Sequence, residues 1–168
     1  MSKTDHTPLA GKRILVTGGT TGIGRATVKM LVEEGARVLT FGRHQQELDD
    51  SLENARGGSG EVHGLTADSS TREGVEQVFA AVDERLGGID MLVCCAALGA
   101  GPLHEEDEWR YVIETNLIGY LACARQMLAA RPRLFPQFAT HNALTVATII
   151  EMAGTDRGGF EFQRLHGM

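Results

Sequence analysis

Three closely spaced glycines near the amino terminus carry the clearest chemical signal in the chain. Gly18, Gly22 and Gly24 follow the apolar run 12–17 and open a helical pattern. Glycine permits positive φ and lets a phosphate approach the backbone, while the helix start presents free N–H groups to an anion. A glycine turn without a ligand is the alternative, but the position after a first strand favours a dinucleotide diphosphate. The residues expected to surround that diphosphate are Gly18, Thr20, Thr21, Gly22, Ile23 and Gly24.

The lysine, serine and tyrosine side chains that usually transfer protons beside such a turn are missing from the chain after residue 120. The last lysine is Lys29, the last serine is Ser70 and the last tyrosine is Tyr120. A positioned general acid contributes on the order of a hundredfold to ten-thousandfold in rate. The sequence therefore indicates binding more strongly than it indicates catalysis.

Alternating strand-like and helix-like segments must position the glycine turn. This alternation predicts right-handed βαβ crossovers and an α/β fold with a doubly wound parallel sheet of about five strands in three αβα layers. A third helix is predicted to extend to Leu86 from a cap at Ser70 or Thr71, and residues 155–168 are expected to be irregular. Strands are predicted over 12–17, 36–41, 61–66, 89–95 and 144–150, and the other helices over 22–34, 44–56 and 107–130.

The bulk composition excludes several classes of function. A net charge of −6 without a basic block argues against nucleic acid and against an anionic membrane surface. The longest stretch without a charged or strongly polar residue, 91–103, is too short to span a bilayer. Residues 1–11 lack the apolar core of a signal peptide, and three cysteines cannot all pair, which indicates a cytoplasmic protein with reduced thiols. Six scattered histidines offer no metal-ligand spacing, so no metal is expected.

The glycine spacing resembles that of the short-chain dehydrogenase/reductase family. The segment reads Thr17-Gly18-xxx-Gly22-Ile23-Gly24, and the resemblance continues in register to about residue 128. Further landmarks are Arg43 after the second strand, Asp68 after the third, and the Glu114-Thr115-Asn116-Leu117 segment. The resemblance implies a Rossmann-like domain over 12–154, between a flexible tail 1–11 and the irregular tail 155–168, without the family's C-terminal strands.

The resemblance also implies a cofactor and its contacts. Arg43 stands where an acidic residue would select NAD, and a guanidinium suits a 2′-phosphate, so NADP(H) is favoured. Asp68 and Ser69 match the region that contacts adenine. Cys95 and Ala96 lie in the Cys94-Cys95-Ala96-Ala97 segment, where the family has Asn-Asn-Ala-Gly on the floor of the nicotinamide-ribose pocket.

The family's catalytic serine, tyrosine and lysine have no counterparts here. Glu151 would occupy the serine's place at the end of the fifth strand, and only Asn116 matches a member of the family's proton relay. The family reaction is hydride transfer between NADP(H) and a ketone or secondary alcohol, and this chain is expected to be weak or inactive alone. The alternatives are a nucleotide-binding module that pairs with an intact relative, through an exposed helix and edge strand, or a truncated or frameshifted product.

Overall fold

The described part of the chain, in this computed structural model, forms two compact units. The first unit contains residues 9–69 and 73–97, and the second contains 70–72 and the described residues from 98 onward. The structure describes residues 9–98, 105–132, 136–139 and 143–163.

The first unit is a four-stranded parallel sheet in which helices connect successive strands. The spatial order of the strands is β3-β2-β1-β4. This arrangement confirms the α/β, Rossmann-like fold with a parallel sheet. The elements are β1 (Arg13–Thr17), α1 (Gly22–Glu33), β2 (Arg37–Gly42), α2 (Gln45–Ala55), β3 (Glu61–Thr66), α3 (Arg72–Leu86) and β4 (Met91–Cys94).

Both faces of the central strands are covered. Ile14 and Val16 of β1 pack with Val28 of α1, whereas Leu15 packs with Val78 of α3 on the opposite face. Successive side chains of a strand point to opposite faces, so a continuous apolar run fits a strand between two helical layers. The near-unbroken apolar sequence of β1 therefore follows from the three-layer packing.

Strand β4 is the edge of the described sheet and is less buried than its sequence predicts. Met91 is 40% exposed and Cys94 is also exposed. The strand covers four residues instead of the predicted 89–95. Within the described residues β4 pairs only with β1, while its Val93 packs on the core that contains Val28 of α1 and its Leu92 packs on the core that contains Val78 of α3.

The second unit combines helices with a short parallel strand pair. Its core contains Leu121 and Leu128 of the fifth helix, Ile149 of the sixth, and Phe138 and Phe162 of the strands. No helix within the described ranges has the length and apolar character that crossing a membrane requires. The elements are α4 (Glu106–Ile113), a π-helical segment (Glu114–Gly119), α5 (Tyr120–Ala129), β5 (Gln137–Ala139), α6 (Ala143–Ala153) and β6 (Glu161–Gln163).

The predicted fifth strand over 144–150 is wrong, because these residues lie in α6. A short apolar run does not distinguish a buried strand from a buried helix by periodicity. The buried residues of α6, Thr145, Ile149 and Ala153, recur every four positions and so form one helix face. Glu151 is exposed within this helix and does not end a strand.

Parts of the predicted flexible tail 1–11 and irregular tail 155–168 have defined contacts in the structure. Residues 1–8 lie outside the described part, but Gly11 donates its N–H to the Gly35 carbonyl (2.9 Å) and Leu9 packs on the core of the first unit. Residues 161–163, predicted to be irregular, form β6 and pair in parallel with β5.

Candidate cofactor site

The strand order creates a crevice at the carboxyl edge of the parallel sheet. From β1 the chain moves outward to β2 and β3, and it then returns to place β4 on the other side of β1. Open α/β sheets bind ligands where the order reverses in this way, outside the carboxyl ends of the strands. The structure brings four groups of predicted site residues to this edge: the glycine turn after β1, Arg43 after β2, Asp68 after β3, and Cys95 after β4.

The glycine turn adopts a backbone that requires glycine at its two ends. Gly18 has φ +64° and Gly22 has φ +50°, both in the left-handed region. A Cβ at Gly18 would lie 2.6 Å from the Cα of Ala96, and one at Gly24 would lie 2.2 Å from the Gly18 carbonyl oxygen. At Gly22, no described atom lies within 4 Å of such a Cβ. The turn therefore packs tightly against its own backbone and the end of β4, and it is open beside Gly22.

The start of α1 leaves backbone N–H groups available at the open side of the turn. Thr21 is the N-cap residue, with extended backbone (φ −139°, ψ 167°) and no capping hydrogen bond from its side chain. The first N–H groups of a helix have no acceptor within the helix, so those of Gly22 and Ile23 are available to a ligand. The Ile23 side chain is 82% exposed.

Thr20 is placed differently from Thr21. It is 4% exposed, and a Cβ at Gly42 would lie 2.5 Å from its Cγ2 and Oγ1 atoms. Its side chain therefore packs against the end of β2, whereas Thr21 is exposed at the helix start. Both threonines lie in the turn as expected, and the role of each hydroxyl in cofactor binding stays a prediction.

Thr17 fixes the end of β4 against the turn. Its Oγ1 accepts the N–H groups of Cys95 and Ala96, each at 3.1 Å. Burial raises the pKa of the Cys95 thiol, so this group stays protonated at neutral pH. A protonated, half-buried thiol behaves as a small apolar side chain and does not act as a nucleophile.

The predicted ribose and adenine contacts follow β2 and β3. Arg43 is exposed directly after β2, and Asp68 is half-buried two residues after β3. Ser69 is 8% exposed. All three lie at the same edge as the glycine turn, and their contacts with a cofactor stay predictions.

Sequence reasoning missed two side chains that donate hydrogen bonds to the backbone carbonyl groups of the glycine turn. Ser51 of α2 donates its hydroxyl to the Gly19 carbonyl (2.7 Å), and Arg25 of α1 donates its Nε–H to the Thr20 carbonyl (2.7 Å). Ser51 is 1% exposed. A signal for it was present, because Leu48, Ser51 and Ala55 share the helical spacing of a buried face.

Asn116 lies in the second unit, within the π-helical segment. Its amide oxygen accepts the Leu98 N–H (2.7 Å) and its amide N–H donates to the Leu98 carbonyl (3.0 Å). The neighbouring Thr115 hydroxyl is buried without a hydrogen-bond partner among the described residues. Asn116 thus holds the backbone that follows β4, and its assignment to a proton relay stays a prediction.

The chain belongs to the short-chain dehydrogenase family, whose model matches residues 12–134. The match contains the glycine turn, the four strands of the sheet and the Asn116 segment. A second model, for proline dehydrogenase, matches residues 106–168 and so overlaps the end of the first match.

Curated relatives with different substrates share this similarity. A 3-oxoacyl-[acyl-carrier-protein] reductase of Chlamydia pneumoniae is 32% identical over 88% of this chain and 59% of its own. A 3beta-hydroxysteroid dehydrogenase of Mediterraneibacter gnavus is 37% identical over 68% of this chain and 43% of its own. A glucose 1-dehydrogenase of Gluconobacter oxydans is 33% identical over 71% of this chain and 46% of its own. The chain spans about half the length of these relatives.

Solved structures show the same fold. A short chain dehydrogenase from Mycobacterium smegmatis has a TM-score of 0.69 at 29% identity, covering 80% of this chain and 57% of that one. A variant of actinorhodin polyketide ketoreductase, solved with NADPH, has a TM-score of 0.66 at 29% identity. The match covers 85% of this chain and 60% of the ketoreductase.

Proposed function

We propose that the chain binds NADP(H) at the carboxyl edge of its parallel sheet, with the diphosphate on the glycine turn. The observation that supports this proposal most directly is the turn itself, whose positive-φ glycines leave open space and free N–H groups beside Gly22. A Cβ at Gly22 would extend into that space, so the residues present fit a diphosphate. The ketoreductase that resembles this chain was solved with NADPH.

Arg43 supports the choice of NADP(H) over NAD(H). The residue follows β2 at the edge that carries the glycine turn, and it is exposed. A guanidinium can donate two hydrogen bonds to a 2′-phosphate, whereas a carboxylate there would repel it and favour the free ribose hydroxyls.

Reversing the charge of residue 43 tests the preference for NADP(H) over NAD(H). We expect Arg43→Glu to raise the Kd for NADPH at least tenfold, because a charge-assisted contact is replaced by repulsion, and to leave the Kd for NADH unchanged or lower. Isothermal titration calorimetry measures both constants. Arg56→Glu, which reverses an exposed arginine beyond the end of α2, is the matched control and should change neither. Equal losses for both cofactors in Arg43→Glu would reject the 2′-phosphate contact.

The family reaction is hydride transfer between the cofactor and a ketone or secondary alcohol, and we propose that this chain performs it weakly or not at all. A bound nicotinamide would supply or accept the hydride. The chain's own residues hold the diphosphate and fix the backbone after β4 through Thr17 and Asn116. No lysine follows Lys29 and no tyrosine follows Tyr120, so a Tyr-xxx-Lys proton donor is absent from the sequence.

The loss of absorbance of NADPH with a panel of ketones tests this activity. We expect turnover at least a hundredfold below that of an intact family member assayed beside it, since one general acid contributes about that much. Comparable turnover would show that another group, Glu151 included, supplies the proton.

A non-catalytic nucleotide-binding module that pairs with an intact relative is the alternative. Exposed apolar side chains on the helices of the second unit, Trp109, Ile113 and Ile118, favour such pairing. Mixing the chain with an intact relative and measuring complex formation by analytical ultracentrifugation tests it. If the two proteins sediment independently, the result argues against such a module. It then favours the other alternative, a truncated or frameshifted product.

A second candidate concerns the second unit alone. The proline dehydrogenase match to residues 106–168 favours a segment related to proline-acting enzymes, and the β5–α6–β6 unit lies within that match. If this segment binds proline, the melting temperature of the full chain should rise saturably with L-proline and not with D-proline. Equal melting temperatures with both would remove this candidate.

A further inference from the structure

Three consecutive carbonyl groups of the glycine turn accept hydrogen bonds from the helices. The Gly19 carbonyl accepts from the Ser51 hydroxyl (2.7 Å), and the Thr20 carbonyl accepts from Arg25 Nε (2.7 Å). The Thr21 carbonyl accepts from the Arg25 backbone N–H (3.0 Å). Two of the three bonds therefore come from side chains outside the family's glycine pattern.

These bonds also set the direction of the N–H groups. In a planar trans peptide the carbonyl and the next N–H point to opposite sides. Directing the carbonyls of residues 19, 20 and 21 toward the helices therefore directs the N–H groups of Thr20, Thr21 and Gly22 to the other side. Successive N–H groups that point the same way form a concave site for an anion.

We infer that Ser51 and Arg25 are positioning residues for the cofactor's diphosphate. They touch the backbone of the turn and not the phosphates, and they keep its N–H groups oriented before the cofactor arrives. Ser51 is 1% exposed, so its hydroxyl has no water to bond with in place of the Gly19 carbonyl. Arg25 also donates to the Glu47 carbonyl (3.5 Å), which links the turn to α2. This inference rests on the proposed binding of NADP(H).

Removing the Ser51 hydroxyl is the first test of the positioning role. We expect Ser51→Ala to raise the Kd for NADPH and for inorganic pyrophosphate about tenfold, because the Gly19 peptide loses its fixed orientation. The Kd for adenosine 2′-monophosphate, which contains no diphosphate, should change less than twofold. A merely structural role would weaken both kinds of probe equally. Calorimetric titration of NADPH, with displacement titrations for the two smaller probes, supplies the three constants.

A matched serine controls for the loss of a hydroxyl. Ser59 donates to the Glu33 carbonyl (2.9 Å) at the far end of α1, away from the turn. Ser59→Ala should leave all three constants within twofold of the wild-type values.

A second variant keeps the inference testable if Ser51→Ala does not fold. Arg25→Lys retains the positive charge but loses the Nε donor, so a positioning role predicts at least a fivefold rise in the Kd for NADPH. A purely electrostatic role predicts no change. If wild-type protein binds NADPH and the folded variants bind it equally well, the inference is overturned. If wild-type protein does not bind NADPH, the proposed function itself fails.

Discussion

The contact between Arg13 and Asp90 fixes β1 to the residue that precedes β4. Arg13 donates from Nη2 to Oδ1 (2.7 Å), and from Nε (3.0 Å) and its backbone N–H (2.9 Å) to Oδ2 of Asp90. Hydrogen bonds from the Arg13 side chain lower the pKa of Asp90 from 3.8 to about 2. The pair therefore holds the two strands of the crevice together at the end opposite to the glycine turn.

Asp90→Asn should destabilise the protein in a pH-dependent way. The pKa of Asp90 is lowered by folding, so its contribution is fully present above about pH 4 and is lost as pH falls toward 2. Because a third of each side chain is exposed, we expect a loss of only about 1 kcal/mol in the free energy of unfolding at pH 7. Urea denaturation from pH 7 down to 2 measures the difference, which should shrink below pH 4.

The surface pair of Arg110 with Glu106 in α4 is the control for that measurement. Glu106→Gln should change the free energy of unfolding by less than about 0.5 kcal/mol at any pH, as exposed helix pairs do. A loss for Asp90→Asn that persists unchanged at pH 2 would contradict the ion-pair explanation.

The glycine turn and α1 form the element on which cofactor binding depends. Gly22 combines φ +50° with open space, so alanine there meets no described atom and still strains the backbone. We expect Gly22→Ala to cost about 1–2 kcal/mol of stability and to raise the Kd for NADPH at least tenfold, since relief of the strain reorients the N–H groups at the helix start. Thermal denaturation and calorimetry measure the two effects.

Gly57 offers the matching control, with φ +92° and equally open surroundings away from the turn. Gly57→Ala should lose similar stability and retain the wild-type Kd. If both variants bind NADPH like the wild type, the backbone of the turn does not hold the diphosphate.

Helix α6 can be tested through its buried face. Ile149 is fully buried within the core of the second unit, so Ile149→Ala should lower the free energy of unfolding by about 2–5 kcal/mol. Leu144, on the same helix, is 64% exposed, and Leu144→Ala should cost less than about 0.5 kcal/mol. A chemical denaturation curve of each variant measures the loss in the free energy of unfolding. Equal losses for the two variants would contradict the helical register.

Sequence patterns predicted some elements far better than others, for physical reasons. The bounds of β3 were predicted residue for residue, because its alternating strand pattern directly follows the glycine-rich loop 57–60. The segment 144–150 was misassigned because β-branched residues favour strands, whereas burial against α5 and the phenylalanines selects a helix. The spacing of Ser51 predicts that it is buried on α2, but its hydrogen bond to a carbonyl 32 residues away could not be predicted from the local sequence.

The two compact units differ in how much of the family pattern they carry. The first contains the glycine turn and all four strands of the parallel sheet, and its fold followed from the sequence. The second contains Asn116 but also the β5–α6–β6 unit, which the family resemblance did not predict. The proline dehydrogenase match over 106–168 coincides with this departure.

The central claim is that backbone N–H groups of the glycine turn bind the diphosphate of NADP(H). A titration of the ¹⁵N-labelled full chain with NADPH, followed by amide chemical shifts, tests it most directly. We predict saturable shifts of the Thr21, Gly22 and Ile23 amides below about 1 mM NADPH, with those of Gly57 and Gly154 unchanged. A folded protein whose turn amides do not move at that concentration would contradict the claim.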